Sequence, residues 1–468
     1  MAERPKIVVA GGGVAALEAL LALHELVGHR VRLELLAPGT HFLNRPASVA
    51  EPFGLGGPAP APFAHVAAHC RAALHSGTLA KVRPADRIAI TGDGSELPYD
   101  ALVVAVGARA ADTIPGALPF AGPQDVPSIQ AALDAAESGD VKAIAFAVPA
   151  GVAWTLPLYE LAIMTAVELR SRGAGDVKLT LVTSENKPLW LFGEEASAEL
   201  SRLLHERGID LVHGLPAAIA SGQLVLDRGE RIPADRTIVL PPTQGPWIAG
   251  LSHDDHGFIP VDAHGRVSGA PGVFAAGDAT SFPIKQGGLA SQQADVVATT
   301  LAAELGAVDA APPFRPVLRG LLLTGGAPLY LRAELTAKGT VRRTGHARPA
   351  LRGEVSTRAL WWPPGKVAGR YLAPYMATAR PVALGREPLV DRAATASAET
   401  PADAADALEL ALLMADEDAR AGDLAQAVHA LDAAAALAGG VLPADAAGKR
   451  EAWRAALAPA PMVGGAAR

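Results

Sequence analysis

Hydrophobic and polar positions divide the chain into two rounds of strand, turn and helix, followed by a less regular C-terminal third. Ile7, Val8 and Val9 form a short, wholly apolar run, the pattern of a central parallel strand buried on both faces. The chain then turns through Gly11–Gly13 into an apolar-faced helix reaching Leu23. Val31–Leu36 reads as the second strand, Phe63–Leu74 as a helix, Leu79–Val82 and Arg87–Thr91 as hairpin strands, and Tyr99–Gly107 as another parallel strand. Between about Gly122 and Gly257 the rhythm repeats: Val141–Val148 and Val177–Thr183 read as strands, Thr155–Arg170 and Ala196–Arg207 as helices. Val273–Ala276 is one more strand, and a further helix begins among Gly287, Gly288 and Leu289. Arg386–Ala402 is a polar linker. Beyond it, Leu408, Leu412, Ala415 and Ala419, answered by Ala427, Leu431 and Ala435, predict a helical hairpin over Asp403–Arg420 and Asp423–Ala438, with Ala444–Leu457 as a third helix. One such hairpin cannot bury its own core and is expected to pack on the rest of the chain or on a partner.

Composition narrows this picture. A chain of 468 residues is too long for one core. The net charge of −7 leaves no basic footprint, so nucleic acid is not an expected partner. A single cysteine, Cys70, excludes an internal disulfide and a CxxC redox pair. The start, MAERPK, runs directly into the first strand, from which a cytoplasmic location is expected. Ala143–Tyr159 is uncharged and mostly apolar, but Pro149, Gly151 and Pro157 interrupt it, and it is shorter than the roughly 20 residues a spanning helix needs. Peripheral membrane contact stays open.

The candidate chemistry begins at Gly11, Gly12 and Gly13, with Ala16 at the third position of a G-x-G-x-x-G/A fingerprint. Gly11 allows the tight turn, Gly13 leaves room for a pyrophosphate, and Ala16 permits close helix–sheet packing, so the diphosphate of a dinucleotide would lie on the helix N-terminus. The acid that usually ends the second strand is replaced by Ala37, with Glu34 three residues earlier. Arg45 is the one cation of the Pro-rich segment His41–Gly54; facing a cofactor and being a solvated loop residue are equally open. His65 and His69, beside Cys70, lack a third ligand nearby, so no metal site is expected. In the second round, Ala153, Thr155 and Leu158 occupy the positions where glycines should fall, which disfavours NAD(P)H there, and Glu185 reads as a loop acid. In GVFAAGDATSFPIKQGG, Gly277 makes a tight turn and Asp278 stands at a strand's carboxyl end, with Lys285 and Gln286 just before a helix. A polyhydroxylated chain beside an electron-poor ring suits that arrangement; a surface loop with a capping aspartate is the alternative. Trp361, Trp362, Tyr371 and Tyr375 could line a flat apolar slot for a quinone, or anchor one part of the chain on another.

The motifs GGGVAA (Gly11–Ala16), YDALVVAVG (Tyr99–Gly107), VFAAGDAT (Val273–Thr280) and KQGG (Lys285–Gly288) occur in the order found in the pyridine-nucleotide–disulfide oxidoreductase superfamily. Over roughly the first 300 residues the chain resembles the branch containing sulfide:quinone oxidoreductases and type II NADH dehydrogenases. The resemblance implies an α/β fold of two Rossmann-like βαβ domains, a C-terminal interface domain and an appended helical hairpin. Its expected boundaries are 1–121 with 258–315 for a discontinuous FAD domain, 122–257 for a degenerate NAD-like domain, 316–390 and 400–458. It implies that Gly11, Gly12, Gly13 and Ala16 lie along the FAD diphosphate and that Val106 and Gly107 close over the adenosine half. Residues near Val82 would line the adenine, Gly277 and Asp278 the ribityl–phosphate region, and Lys285 and Gln286 the isoalloxazine ring. Glu160 falls where type II NADH dehydrogenases carry a glutamate near the flavin, which makes Glu160 and Lys285 the candidate catalytic pair. Two departures follow. The cysteine expected before the Tyr159–Glu160 pair is Trp154, which argues against persulfide chemistry, and the second glycine motif is missing. The expectation is an FAD-dependent oxidoreductase passing two electrons from a small donor to a quinone-like or other acceptor. The alternatives are an NAD(P)H:acceptor reductase and a flavin-loaded adaptor that docks a protein partner, or a second copy of the chain, through its C-terminal helices.

Overall fold

A computed structural model describes residues 4–55, 60–336, 338–340, 343–344, 350–351, 353–378 and 442–457, with scattered positions between 412 and 435. The linker and most of the expected hairpin lie outside the described residues. Two compact units are present, Met1–Leu360 with Lys366–Val390, and Trp361–Gly365 with Asp391–Arg468.

In the first unit the chain runs β1 (Lys6–Ala10), α1 (Val14–Val27), β2 (Arg32–Ala37), α2 (Phe63–His69), β3 (Ala73–Ser76) and β4 (Ala101–Val104). It continues through β5 (Leu118–Pro119), α3 (Val126–Glu137), β6 (Ala143–Ala147), α4 (Leu156–Ser171), β7 (Lys178–Thr183), α5 (Glu194–Glu206), β8 (Ile209–His213) and β9 (Arg236–Val239). Then follow β10 (Val273–Ala275), α6 (Gly287–Glu304), β11 (Val317–Leu322), β12 (Leu329–Glu334), β13 (Gly353–Ser356) and α7 (Leu372–Thr378). One parallel sheet has the order β10-β4-β1-β2-β3, with Val8 opposite both Glu34 and Leu102. A second parallel sheet has the order β5-β9-β6-β7-β8. The wholly apolar runs Ile7–Ala10 and Ala143–Ala147 are the middle strands of these sheets and fully buried, as strands covered on both faces must be. The third sheet, β11-β12-β13, is antiparallel.

Two elements are shorter than their apolar patterns suggest, and the strand expected over Tyr99–Gly107 spans only Ala101–Val104. The helix expected over Phe63–Leu74 ends at His69, because Arg71 adopts a left-handed φ of 52° and the chain returns as the edge strand β3. The His69 ring packs 5.6 Å from that of His24 and 5.1 Å from that of Tyr375. Among the described residues no helix is long and apolar enough to cross a membrane. In the second unit α8 (Ala444–Leu457) contributes Ala446 to a small core with Ala415, Leu431, Ala435 and Leu442, and Arg454 pairs with Asp432 at 2.6 Å.

The apolar start of α1 contains one acid, Glu18, and it is completely buried. Its Oε1 and Oε2 accept the backbone N–H groups of Tyr371 (2.7 Å) and Leu372 (2.8 Å), fastening the start of α7 to α1. Gly369 permits this, since a Cβ there would fall 3.0 Å from Ser291 Oγ and 3.1 Å from Glu18 Cδ. Glu18 is also hydrogen-bonded to Asp295 on α6, so two carboxyls share a site.

Burial raises the pKa of Glu18, and burial together with the Glu18 charge raises that of Asp295. Above the unfolded carboxyl value of about 4 the folded chain therefore binds more protons than the unfolded one, and stability falls as pH rises from there to the raised folded values. Asp295→Asn removes one of the two charges. Its urea midpoint should decline less than that of the wild type between about pH 5 and about pH 8, with a gain on the order of 1 kcal/mol at the upper end.

Candidate functional site

The site is built where β1, β4 and β10 end side by side. Gly11 has φ 139°, and a Cβ on it would collide with the Ala105 carbonyl, 2.6 Å from its carbon. Only glycine lets the turn after β1 pass under the end of β4. Gly12 is packed differently, its bare Cα facing the Phe63 ring, which a Cβ would meet at 2.6 Å. A Cβ on Gly13 would meet nothing within 4 Å. Behind it, α1 begins with no side-chain cap and no acid in its first turn, so its positive end and unpaired N–H groups face that open space. Ala16 is fully buried on the inner side of α1.

The turn after β10 is pressed against the same helix. Gly277, at φ 75°, would place a Cβ 2.8 Å from that of Ala15 and 3.3 Å from that of Ala290. Its N–H is held by Gln293 Oε1 at 2.7 Å, which also receives Thr280 Oγ1 at 3.3 Å. Gln293 is a site residue that sequence reasoning missed; a lone polar residue on the apolar face of a helix was its only signal. Asp278 follows directly, its carboxyl pKa raised by burial and drawn down by Lys285 and Arg45, so both cations lie near it. Arg45 itself is exposed at the start of the short helical segment Arg45–Phe53.

Lys285 Nζ donates to the carbonyls of Thr280 (2.5 Å) and Phe282 (2.7 Å), and burial pulls its pKa down to about 8 against the charges of Asp278 and Asp254. Gln286 is occupied structurally: Oε1 caps α6 through Leu289 N–H at 2.8 Å and Nε2 donates to Arg319 O at 2.9 Å. Val106 is half-buried, and Gly107, at φ 75°, has open space where a Cβ would be. Val82 is buried, with its N–H committed to Ala249 O at 2.8 Å. Glu34 is tied at 3.1 Å to Lys6 and at 3.0 Å to His75 from within β2, which leaves Ala37 at the strand end.

Glu160, in the second turn of α4, is fully buried. Its Oε1 accepts Leu323 N–H at 2.7 Å and pairs with Lys366 Nζ, while Oε2 has no partner among the described residues. Burial raises the Glu160 pKa and lowers that of Lys366. Lys366 was also missed, although it is the only charge in LWWPPGKVAG. The pair adjoins the start of α6 through the next residue: a Cβ on Gly287 would lie 3.0 Å from Val367 and 3.7 Å from Pro46.

The second βαβ turn lies between β6 and α4. Gly151 has φ 83°, and Trp154 lies edge-on to Phe192 at 6.0 Å. Glu185 is no mere loop acid: its Oε2 accepts the Tyr159 hydroxyl at 2.8 Å and Thr183 Oγ1 at 3.2 Å. Cys70 is buried, and burial pushes its thiol pKa up to about 12, the opposite of what a thiolate nucleophile needs. The four aromatics of the expected quinone slot divide between the two units, Trp361 and Trp362 in one, Tyr371 and Tyr375 in the other.

A family model described as pyridine nucleotide-disulphide oxidoreductase matches residues 5–294. The chain is 29% identical over 272 residues to the ferredoxin reductase component of chlorobenzene dioxygenase from Cupriavidus sp. (strain PS12), a match covering 53% of this chain and 62% of that protein, so the chain spans somewhat under two thirds of that relative's length. Among solved structures it is similar to the sulfide:quinone oxidoreductase of Aquifex aeolicus (19% identity, TM-score 0.65, covering 75% of this chain and 87% of the other). It is also similar to the ferredoxin reductase for the CYP199A2 system of Rhodopseudomonas palustris (19% identity, TM-score 0.56, covering 73% and 86%). At these identities the structures speak to the fold.

Two glycine substitutions separate folding from binding. Gly11→Ala should destabilise the protein by about 1–3 kcal/mol, from its left-handed φ and the collision with Ala105. Gly13→Leu should leave the thermal midpoint of the cofactor-free protein nearly unchanged yet abolish retention of a dinucleotide, read as the ratio of bound cofactor to protein after gel filtration.

Proposed function

The chain belongs to the pyridine nucleotide-disulphide oxidoreductase family, and from that premise we propose that it is an FAD-dependent oxidoreductase passing two electrons from a small reduced donor to a quinone-like or other acceptor. The observation that carries this reading is the open space over Gly13 at the uncapped start of α1, with Gly277 held against the same helix and Asp278 next to it in the chain. The residues present fit FAD. Gly11, Gly12, Gly13 and Ala16 would hold its diphosphate, Val106 and Gly107 its adenosine side, and Asp278 its ribityl chain, with Arg45, Lys285 and Gln286 toward the ring. When bound, FAD supplies the two-electron chemistry, and the chain's part is to position it and govern charge and protons around it.

Glu160 is the proton-handling group of this proposal. Oε1 is fixed by Leu323 N–H and Lys366, so only Oε2 is free to give or take a proton. Burial keeps the carboxyl protonated to higher pH than usual, and Lys366 holds Oε1 in place. A donor site for NAD(P)H is the second reading, favoured by the family and by the ferredoxin reductase relative. Against it stand Trp154 at the turn and the engagement of Glu185 by Tyr159. A small redox protein is an acceptor consistent with the same relative, and the parts of the chain we assign to FAD are 1–121 and 258–315.

The purified protein should be yellow and bind FAD; a colourless protein that refuses added FAD overturns the reading. Anaerobically, a small thiol or sulfur compound should bleach the flavin faster than NADH does, and the reverse result promotes the NAD(P)H reductase. Glu160→Gln should retain FAD but slow acceptor reduction on the order of 10²-fold. The wild-type rate should fall as pH rises through the raised Glu160 pKa, and that limb of the profile should vanish in the variant.

A further inference from the structure

Lys285 is held in a cage of two carbonyls and one aromatic face. Its ammonium donates to the Thr280 and Phe282 carbonyls, and Nζ lies 3.6 Å from the centroid of the Phe258 ring. Of the three protons of an ammonium, two go to the carbonyls, and the charge faces the aromatic ring. The ring is placed by main chain rather than by loose packing. Phe258 N–H donates to Asp254 Oδ1 at 2.9 Å, and Asp254 N–H donates to Phe258 O at 2.8 Å. The next residue is zipped to the turn that carries Asp278: Ile259 N–H donates to Ala279 O and Ser281 N–H to Ile259 O, both at 2.9 Å. Phe258 therefore keeps a fixed position relative to the turn that delivers Lys285. Asp254, which builds the loop, also places negative charge near the ammonium.

We infer that Phe258 is a positioning residue: its ring face holds Lys285 as a stationary positive charge beside the flavin end of the site, not as a proton or hydrogen-bond donor to the ring. This rests on the FAD reading above. A fixed charge stabilises whichever state of its neighbour gains negative charge, and it does so only while it is held still. A cation on an aromatic face in a desolvated setting is bound strongly enough for that purpose.

The test is the midpoint potential of FAD bound to the full-length protein. Lys285→Met should lower it. Phe258→Leu should lower it in the same direction, equivalent to a roughly three- to ten-fold loss of preference for reduced over oxidised FAD. Phe258→Tyr, which keeps the ring, should restore the wild-type value, and Phe258→Leu should add nothing in the Lys285→Met background. Pentafluorophenylalanine at position 258 keeps the ring's shape while reversing its quadrupole; it should reproduce the leucine shift and serves if the leucine variant does not fold. The inference is overturned if Lys285→Met leaves the potential unchanged, if it moves the potential while the Phe258 variants do not, or if the Phe258 effect survives without Lys285. A wild-type protein that takes up no FAD brings down the cofactor reading itself, an outcome distinct from any pattern among the variants.

Discussion

The structure depends on how closely main chain can approach main chain where three parallel strands end beneath two helices. Gly11 passes under the Ala105 carbonyl, and Gly277 fits between Ala15 and Ala290 with no space for a side chain. These contacts bring the ends of β1, β4 and β10 and the start of α1 within one small area. They also leave Gly13 as the glycine whose missing side chain opens onto free space. The three glycines of one tripeptide thus do three jobs: Gly11 lets strands converge, Gly12 seats Phe63, and Gly13 keeps the helix N-terminus accessible. A motif usually described as one binding feature is here partly a packing feature.

Polar groups buried around this junction fasten later segments of the chain onto it. Glu18 holds the start of α7, Gln286 joins α6 to β11, and Glu160 joins α4 to Leu323 and Lys366. The charged ones among them contribute little net stability, since desolvation offsets most of the attraction, but removing one partner leaves an uncompensated charge and is costly. What they supply is position. Each ties a residue distant in sequence to a fixed point near the glycine turn, to a tolerance set by hydrogen bonds of 2.7–2.9 Å.

The parts legible in the sequence were those whose signal is local. Ile7–Ala10 and Ala143–Ala147 could be read as central strands because a strand covered on both faces has no polar position, and the turns at Gly11–Gly13 and Gly277 because positive φ and close approach select glycine. The end of α2 was not legible: the apolar pattern continues to Leu74, and only the left-handed φ of Arg71, a residue with no preference for it, stops the helix. Lys366, Gln293 and Asp295 escaped for another reason. Each derives its role from a partner between 16 and 277 residues away, as in Gly277–Gln293, Glu160–Lys366 and Glu18–Asp295, and no local window contains both ends. Lys366 left a trace as a lone charge in an apolar stretch, which is also how Glu18 stands in VAALEALLAL, whereas Gln293 and Asp295 sit in the polar run SQQAD. Such a lone charge states that a partner exists without naming it.

The second βαβ unit shows why losing a motif is not the same as losing a fold. β6, the turn at Gly151 and α4 keep the strand–turn–helix path, and the parallel register with β7 is unbroken from Ala143 to Ala147. What has changed is the space in front of the turn and the direction of its acid. Trp154 packs edge-on to Phe192, and Glu185 turns to the Tyr159 hydroxyl and Thr183 instead of standing at the strand end with free oxygens. Burial also raises the Glu185 pKa. The sheet needs only buried apolar strands to persist, whereas a bound diphosphate needs bare main chain, so the first requirement does not depend on the second. The unit also makes a mechanical contribution: its helix α4 carries Glu160 to Lys366 and Leu323.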